Sequence, residues 1–416
     1  MSNALSDLFR RMRRHFPALD GELIFFDNAA GAQLPEAAID QVARDLLQHN
    51  AQKGPVFSRQ ERMVQLIYDL RGAVADLVGS RPESVALGLN ATSLTALVAH
   101  HLGRDLKAGD LILTTDLDHQ ANVSPWEEMA DRGVRVEAVP ITPAGRLDME
   151  AYRSLLARGP RLVACGWVSN ATGVVNDLPL MTRLAHEAGA LMFVDCVAGA
   201  PHLPMHFDAW ELDVAVASAY KLFGPHLGFV AINPARLGGW RLGELIGRPA
   251  GRFELGTAHA AKLELGTQNH EGVAGFHGTI AYLEMLGTAA AAARGQAAPS
   301  SRRERLLAAM EAIGAYERGL TEALREAVGS VPGAIIYGEP AVPILSFNLE
   351  GRDPAEVARH LDRHGIEART GNYLAIRQMT KLAAPFGGEA VRVSLLHYNT
   401  PEEIERLGAA LRSLVG

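Results

Sequence analysis

Five short runs, Leu111–Thr115, Leu162–Ser169, Leu191–Cys196, Val214–Ser218 and Gly228–Ile232, are apolar almost throughout. A strand with one wet face alternates apolar and polar residues, so these unbroken runs describe strands covered on both faces. The stretches between them keep helical spacing, as Met63, Leu66, Ile67, Leu70, Val74 and Leu77 do within Glu61–Gly79. Alternating helices and strands predict an α/β chain with a mostly parallel sheet. In such sheets ligands collect beyond the carboxyl ends of the strands, and there this chain places its most informative polar residues.

Lys221 follows one of these runs, in Ser218-Ala219-Tyr220-Lys221, and Asp195 closes another 26 residues earlier. An ammonium group at the end of a buried strand is costly unless it is neutral or consumed chemically, and an imine to an aldehyde cofactor consumes it. Pyridoxal phosphate needs such a lysine, an anion for its pyridine nitrogen, a flat group against its ring and donors around its phosphate. Asp195 is the anion, or a solvated strand-end carboxylate. His119, in Asp118-His119-Gln120-Ala121-Asn122, is the flat group, or an ordinary loop histidine. Asn170, at the end of Val168-Ser169-Asn170, approaches the phenolic oxygen or sits in a turn. Asn90-Ala91-Thr92-Ser93 opens a helix whose first N–H groups and hydroxyls form an anion site, with Thr92 or Ser93 as N-cap, and Ser218 adds a hydroxyl.

With 416 residues, 48% hydrophobic and 21% charged, the chain has the bulk character of a globular enzyme of two domains. A formal charge of −7 argues against a nucleic-acid partner, and the Arg10–Arg14 cluster, preceded by Asp7, reads as an N-terminal helix. No apolar run reaches the roughly 20 residues of a bilayer span, so no membrane association and a cytoplasmic location are expected. Cys165 and Cys196 lie within apolar runs as small hydrophobes do. His360 and His364 have ligand spacing on a helix, but Asp362 between them and the missing glutamate speak against a metal, and none is expected.

Residues 287–301, rich in alanine and glycine, read as a linker or mobile segment. The expected large cofactor-binding domain is 21–286, and a smaller domain takes 1–20 and 302–416. The latter opens with a helix over 302–328, continues with a strand at 344–348 and ends with a helix launched at Thr400, which has capping-box spacing to Glu403.

The succession of these residues, with Phe26-Asp27-Asn28-Ala29-Ala30-Gly31, Pro125-Trp126, Glu264-Leu265-Gly266-Thr267, Val391-Arg392-Val393-Ser394 and Tyr398-Asn399-Thr400, resembles the class V aminotransferases of the cysteine desulfurase-like group. The resemblance covers nearly the whole length. It implies the fold type I architecture, a mostly parallel seven-stranded sheet flanked by helices with a smaller α+β domain, and a homodimer. It further implies that Lys221 forms the imine with pyridoxal phosphate, Asp195 pairs with the ring nitrogen, His119 stacks on the ring and Asn170 approaches the phenolic oxygen. Ala91, Thr92 and Ser218 then serve the phosphate, with Thr267 reaching it from the other subunit. Arg392 takes the substrate carboxylate, and Asn28, Ala29 and Ala30 line the same pocket.

Members that pass sulfur onward carry a cysteine in Arg-Thr-Gly-His-His-Cys, whereas this chain has Arg369-Thr370-Gly371-Asn372-Tyr373-Leu374, with Leu374 at the thiol position. Ala198 and Tyr220 also depart from the pattern. Asn372 and Tyr373 would then face the substrate, Tyr373 either as an acid or as part of the wall. The reaction on an L-amino acid is desulfurase-like or a C–S or C–Se lyase reaction, with transamination and epimerisation as alternatives and a non-catalytic binding protein as a third class. A sulfur acceptor protein has no support in the sequence.

Overall fold

The computed structural model describes residues 3–54, 56–247 and 259–415. Its main sheet has seven strands in the spatial order 85–88, 228–232, 214–218, 191–195, 162–166, 111–115, 135–139. All neighbours pair in parallel except at Gly228–Ile232, which runs antiparallel to both of its partners. The expected α/β fold with a mostly parallel seven-stranded sheet is thus present.

Side-chain alternation splits the buried residues of this sheet between two cores. Ile112, Leu162, Phe193, Val216 and Val230 pack with Leu94, Val98 and Leu102 of the helix Ala91–Gly103 on one face. Leu113, Val163, Val194, Ala215 and Phe229 join the larger core on the other, with Ile67 and Val74 of Ser58–Val78 and Phe276 and Ile280 of His270–Ala293. Both faces are dry, which is why the runs show no polar alternation.

A four-stranded antiparallel sheet, in the order 369–371, 390–394, 344–349, 334–337, carries the C-terminal part. Thr400 and Glu403 exchange N–H bonds at the start of Pro401–Val415, the expected capping box. The N-terminal helix Asn3–Met12 docks by stacking Phe9 on Tyr316 of Arg302–Gly329, with ring centroids 4.5 Å apart. A two-stranded parallel pair, Ile24–Phe25 with Ile366–Glu367, brings the segment after Phe25 beside the C-terminal sheet.

The expected linker at 287–301 is corrected in its first half. The helix His270–Ala293 continues through Gly287 and the alanines, as strong helix formers permit, and only the residues after it leave the helix before Arg302. Gly287 has a packing reason: a Cβ there would lie 1.8 Å from the Arg305 carbonyl oxygen, so the two long helices touch backbone to backbone. Among the described residues no helix is long and apolar enough to cross a membrane. His360 Nε2 bonds to the Ala410 carbonyl oxygen and His364 Nδ1 to the His360 carbonyl oxygen.

Candidate active site

The carboxyl ends of the central strands and the turns beyond them enclose a cavity of about 520 Å³, lined by Ala91, Thr92, His119, Asn170, Asp195, Ser218 and Lys221 among others. Seven residues singled out in the sequence thus meet in one space.

Lys221 ends the 3₁₀ turn Ala219–Lys221 that follows the strand Val214–Ser218, and it is buried. Burial and the Arg392 charge lower its amine to about 8, against the opposing pull of Asp195 and Asp27. The turn is fixed two residues on by Phe223, held at φ 57° with its carbonyl accepting from Thr279 Oγ1 at 2.9 Å.

Asp195 ends the strand Leu191–Asp195 and spends Oδ1 on the Val197 N–H at 2.8 Å, and Oδ2 bonds to none of the described residues. Burial raises its carboxyl above the usual range, while the Val197 bond and the Lys221 charge pull the other way. Cys196 points to the opposite face, inside the core, as alternation requires.

His119 accepts the Ala121 N–H on Nδ1 at 3.1 Å. Burial, with the charges of Lys221 and Arg392, lowers its imidazole to about 4, so the ring is neutral at pH 7 with its proton on Nε2. Beside it Asp118, which the sequence reading left without a role, is buried in the cavity wall and accepts Thr115 Oγ1 at 2.7 Å and Asn122 Nδ2 at 3.3 Å. Burial and the neighbouring Asp195 push its carboxyl up to about 7, although its bonds to Thr115 and Asn122 oppose this. Gly166 leaves room for it, since a Cβ there would stand 2.8 Å from Asp118 Oδ1. The signal was available: an acid three residues beyond the buried strand Leu111–Thr115.

The helix Ala91–Gly103 begins at the cavity. Its N-cap is Asn90, which accepts the Ser93 N–H at 2.8 Å, so the expected cap at Thr92 or Ser93 is corrected. Ser218 Oγ accepts the Ala91 N–H at 2.9 Å, tying the helix start to the strand that delivers Lys221. Thr92 is thereby left facing the cavity, and Thr95 lines it as well.

Arg392, from the strand Ala390–Ser394, is buried. It donates to the Asn170 carbonyl oxygen at 2.9 Å and to Asp27 Oδ1 at 3.2 Å, and it lies over the Tyr373 ring at 4.5 Å. Its Nε and Asn170 Oδ1 are both buried without a partner; Asn170 lines the cavity, and Arg392 stands behind it and is not among the lining residues. Asn170 Nδ2 is spent on the Tyr373 carbonyl oxygen at 2.9 Å.

Several expected substrate contacts are corrected. Asn28 is consumed structurally: Nδ2 donates to the Ser394 carbonyl oxygen at 2.7 Å and Oδ1 accepts the Tyr398 hydroxyl, while Ala29 N–H donates to Ser394 Oγ. Neither these two nor Ala30 lines the cavity. Tyr373 donates its hydroxyl to the Ala390 carbonyl oxygen and burial pushes its phenol far up, which speaks against an acid role; it is not among the residues lining the cavity. Asn372 Oδ1 accepts the Leu374 N–H, and Leu374 is half exposed with its carbonyl accepting from Gln120 N–H at 2.7 Å. Tyr373 and Leu374 both hold left-handed backbone, at φ 55° and 58°, a strained pair pinned by these bonds. Thr267 is exposed beside a separate apolar cleft with Leu87 and Leu265.

The donor set fits pyridoxal phosphate: a shielded amine, a carboxylate oxygen open to the cavity, a neutral flat ring and a helix start coupled to a hydroxyl. Comparison with known proteins agrees. The model of the family described as "Aminotransferase class-V" matches residues 24–311 and 305–407. A cysteine desulfurase of Serratia proteamaculans is 30% identical, with 97% of each chain covered, and an uncharacterised protein of Mycobacterium tuberculosis is also 30% identical, over 97% of this chain and 98% of its own. Among solved structures, the apo cysteine desulfurase of Thermococcus onnurineus is similar with a TM-score of 0.84 at 26% identity, covering 97% of both chains. This chain therefore belongs to the class V aminotransferase family, a family of pyridoxal phosphate-dependent enzymes with cysteine desulfurases among its members.

Proposed function

We propose that the protein binds pyridoxal phosphate on Lys221 and uses it to remove the Cα proton of an L-amino acid, acting as a C–S or C–Se lyase of the cysteine desulfurase-like kind. The observation that carries this reading is the buried Lys221 amine sharing one cavity with the free Oδ2 of Asp195 and the neutral His119. When bound, the cofactor supplies an electrophilic carbon for the substrate amine and a ring that withdraws electrons from Cα.

The chain's own residues then have distinct tasks. Lys221 Nζ, with its proton affinity lowered to about 8, accepts the Cα proton without a large cost near neutral pH. Asp195 Oδ2 keeps the ring nitrogen protonated, His119 covers one face of the ring, and Asn170 meets the phenolic oxygen by turning its Nδ2 from the Tyr373 carbonyl oxygen that it bonds in the structure. Ala91, Thr92 and Ser218 hold the phosphate, with Thr267 of a second copy in a homodimer. Arg392, through its unpartnered Nε, takes the substrate carboxylate. In the same reading residues 21–286 form the cofactor-bearing unit, 1–20 and 302–416 the smaller one, and the enzyme works in the cytoplasm on a small molecule.

The fate of the sulfur follows from the thiols. Leu374 stands where the sulfur-transferring relatives would carry cysteine, and Cys165 and Cys196 are buried in the core with their thiols pushed well up by burial. A thiol held neutral is a poor nucleophile, so sulfur leaves as sulfide and not as a protein persulfide. The test is product analysis with a panel of L-amino acids. Sulfide with pyruvate from L-cysteine is expected. Conversion of the cofactor to its pyridoxamine form would make the protein an aminotransferase, solvent deuterium at Cα of unchanged substrate an epimerase, and a protein that never takes up the cofactor a binding module.

A further inference from the structure

One buried acid of the cavity has no task in the chemistry above. Asp118 is 3% exposed and lines the cavity beside His119. Its partners among the described residues are uncharged: Oδ2 accepts the Thr115 N–H at 3.2 Å and the Thr115 hydroxyl at 2.7 Å, and Oδ1 accepts Asn122 Nδ2 at 3.3 Å. A buried carboxyl without a cation is costly, and an apolar side chain would fill the same place at less cost.

The bonds of Asp118 bracket its neighbour. They run back to the last residue of the strand Leu111–Thr115 and forward to the 3₁₀ turn Gln120–Asn122, with His119 between the two anchors. Inside the bracket Leu117 N–H donates to Thr115 Oγ1 at 3.2 Å, Asn122 N–H to the His119 carbonyl oxygen at 2.8 Å, and Ala121 N–H to His119 Nδ1 at 3.1 Å. The imidazole is thus tied to its own turn, and the turn is tied to Asp118. The carboxyl also abuts Gly166, where a Cβ would stand 2.8 Å from Oδ1, and Gly166 is the register partner of Asp195. The bracket is therefore seated against the strand end beside Asp195.

Resting on the reading of this cavity as a pyridoxal phosphate site, we propose that Asp118 is a positioning residue: by clamping Thr115 to Asn122 it holds the His119 imidazole in the orientation that faces the cavity. It acts through His119 and not on the reacting atoms. Loss of the carboxyl frees the turn, and the ring then has no fixed angle to a bound group.

The experiment is a double-mutant cycle with two readouts: the apparent Kd from titration with pyridoxal phosphate, and the visible circular dichroism per bound cofactor, which reports how the cofactor ring is held. Asp118→Ala should weaken binding about tenfold and lower the dichroism by about half or more. In a His119→Ala background the same substitution should change the Kd by no more than about twofold and leave the dichroism unmoved. Thr115→Val keeps the volume and removes the hydroxyl, so it should shift the Kd the same way by about threefold; made in both backgrounds, it decides the matter if Asp118→Ala does not fold. Equal losses in the two backgrounds, or a wild-type Kd and dichroism in Asp118→Ala, overturn the inference and leave the cofactor reading intact. A wild-type protein that takes up no pyridoxal phosphate overturns both together.

Discussion

The floor and the side wall of the cavity are built in different ways. The floor, with Asp195, Lys221, Ser218, Asn170, His119 and Asp118, hangs from the ends of strands buried on both faces, so each side chain is placed by local chain geometry. The wall stands behind Asn170: Asp27, Arg369, Tyr373 and Arg392, none of them among the residues that line the cavity, are brought together from segments more than 340 residues apart by charge and hydrogen bonds. A floor of this kind fixes chemistry, because its groups have shifted proton affinities that depend on burial. A wall of this kind is open to re-partnering, because a single substitution changes which of its charges pair.

The largest effects should come from the floor. Lys221→Ala should abolish covalent cofactor retention and lower turnover by about three orders of magnitude or more, read from absorbance and product formation. Asp195→Ala should follow at roughly a hundredfold or more in kcat. A wall residue outranking both would break the distinction.

Arg392→Ala should act twice. It removes the Nε donor offered to the substrate carboxylate, raising KM more than it lowers kcat, and it deprives the Asn170 carbonyl and Asp27 of a buried partner. A loss of about 3 kcal/mol is expected in denaturant melts. Equal losses in kcat and kcat/KM would place Arg392 with the floor instead.

The floor also predicts pH dependence. Lys221 titrates near 8 when folded and at its ordinary 10.5 when unfolded, so between those values the unfolded chain holds more protons and stability rises with pH. His119, lowered to about 4 from 6.5, acts in the same direction between pH 4 and 6.5. Asp118, raised to about 7 from 3.8, acts in the opposite direction between pH 3.8 and 7, because there the folded form holds the extra proton. The last two offset each other; above pH 9 the raised thiols of Cys165 and Cys196 act against Lys221, so the amine is isolated by comparison with a variant that lacks it. Thermal melts without cofactor should show the wild type gaining on Lys221→Met between pH 8 and 10.5, and parallel curves would contradict the buried amine. The smallest effect belongs to the wall's exposed tip: Leu374→Ala should change stability by no more than about 0.5 kcal/mol.

What the sequence disclosed divides along the same line. Strand ends could be read because an apolar run closed or soon followed by a polar residue is a local signal: Asp195 closes its strand, and Lys221, Asn170 and His119 lie within four residues of theirs. Asp118, three residues beyond Thr115, carries it too. Asn90 was legible as a cap by type and by its three-residue spacing to Ser93. The helix through Gly287–Ala293 was hidden by low complexity, although alanine is the strongest helix former. The wall was not legible in the same sense: Asn28 matches a motif, yet its amide is spent on Ser394 and Tyr398, and the Asp27–Arg369–Arg392 triad exists only after strands 369–371 and 390–394 pair. Tyr373 shows the limit most clearly, since nothing local dictates that its hydroxyl turns to Ala390.

The most direct test is borohydride reduction of the protein incubated with pyridoxal phosphate, followed by peptide mass mapping. The account predicts one phosphopyridoxyl group per chain, on Lys221, and its loss of signal in Lys221→Ala. Label on exposed lysines alone, with Lys221 unmodified, would contradict it.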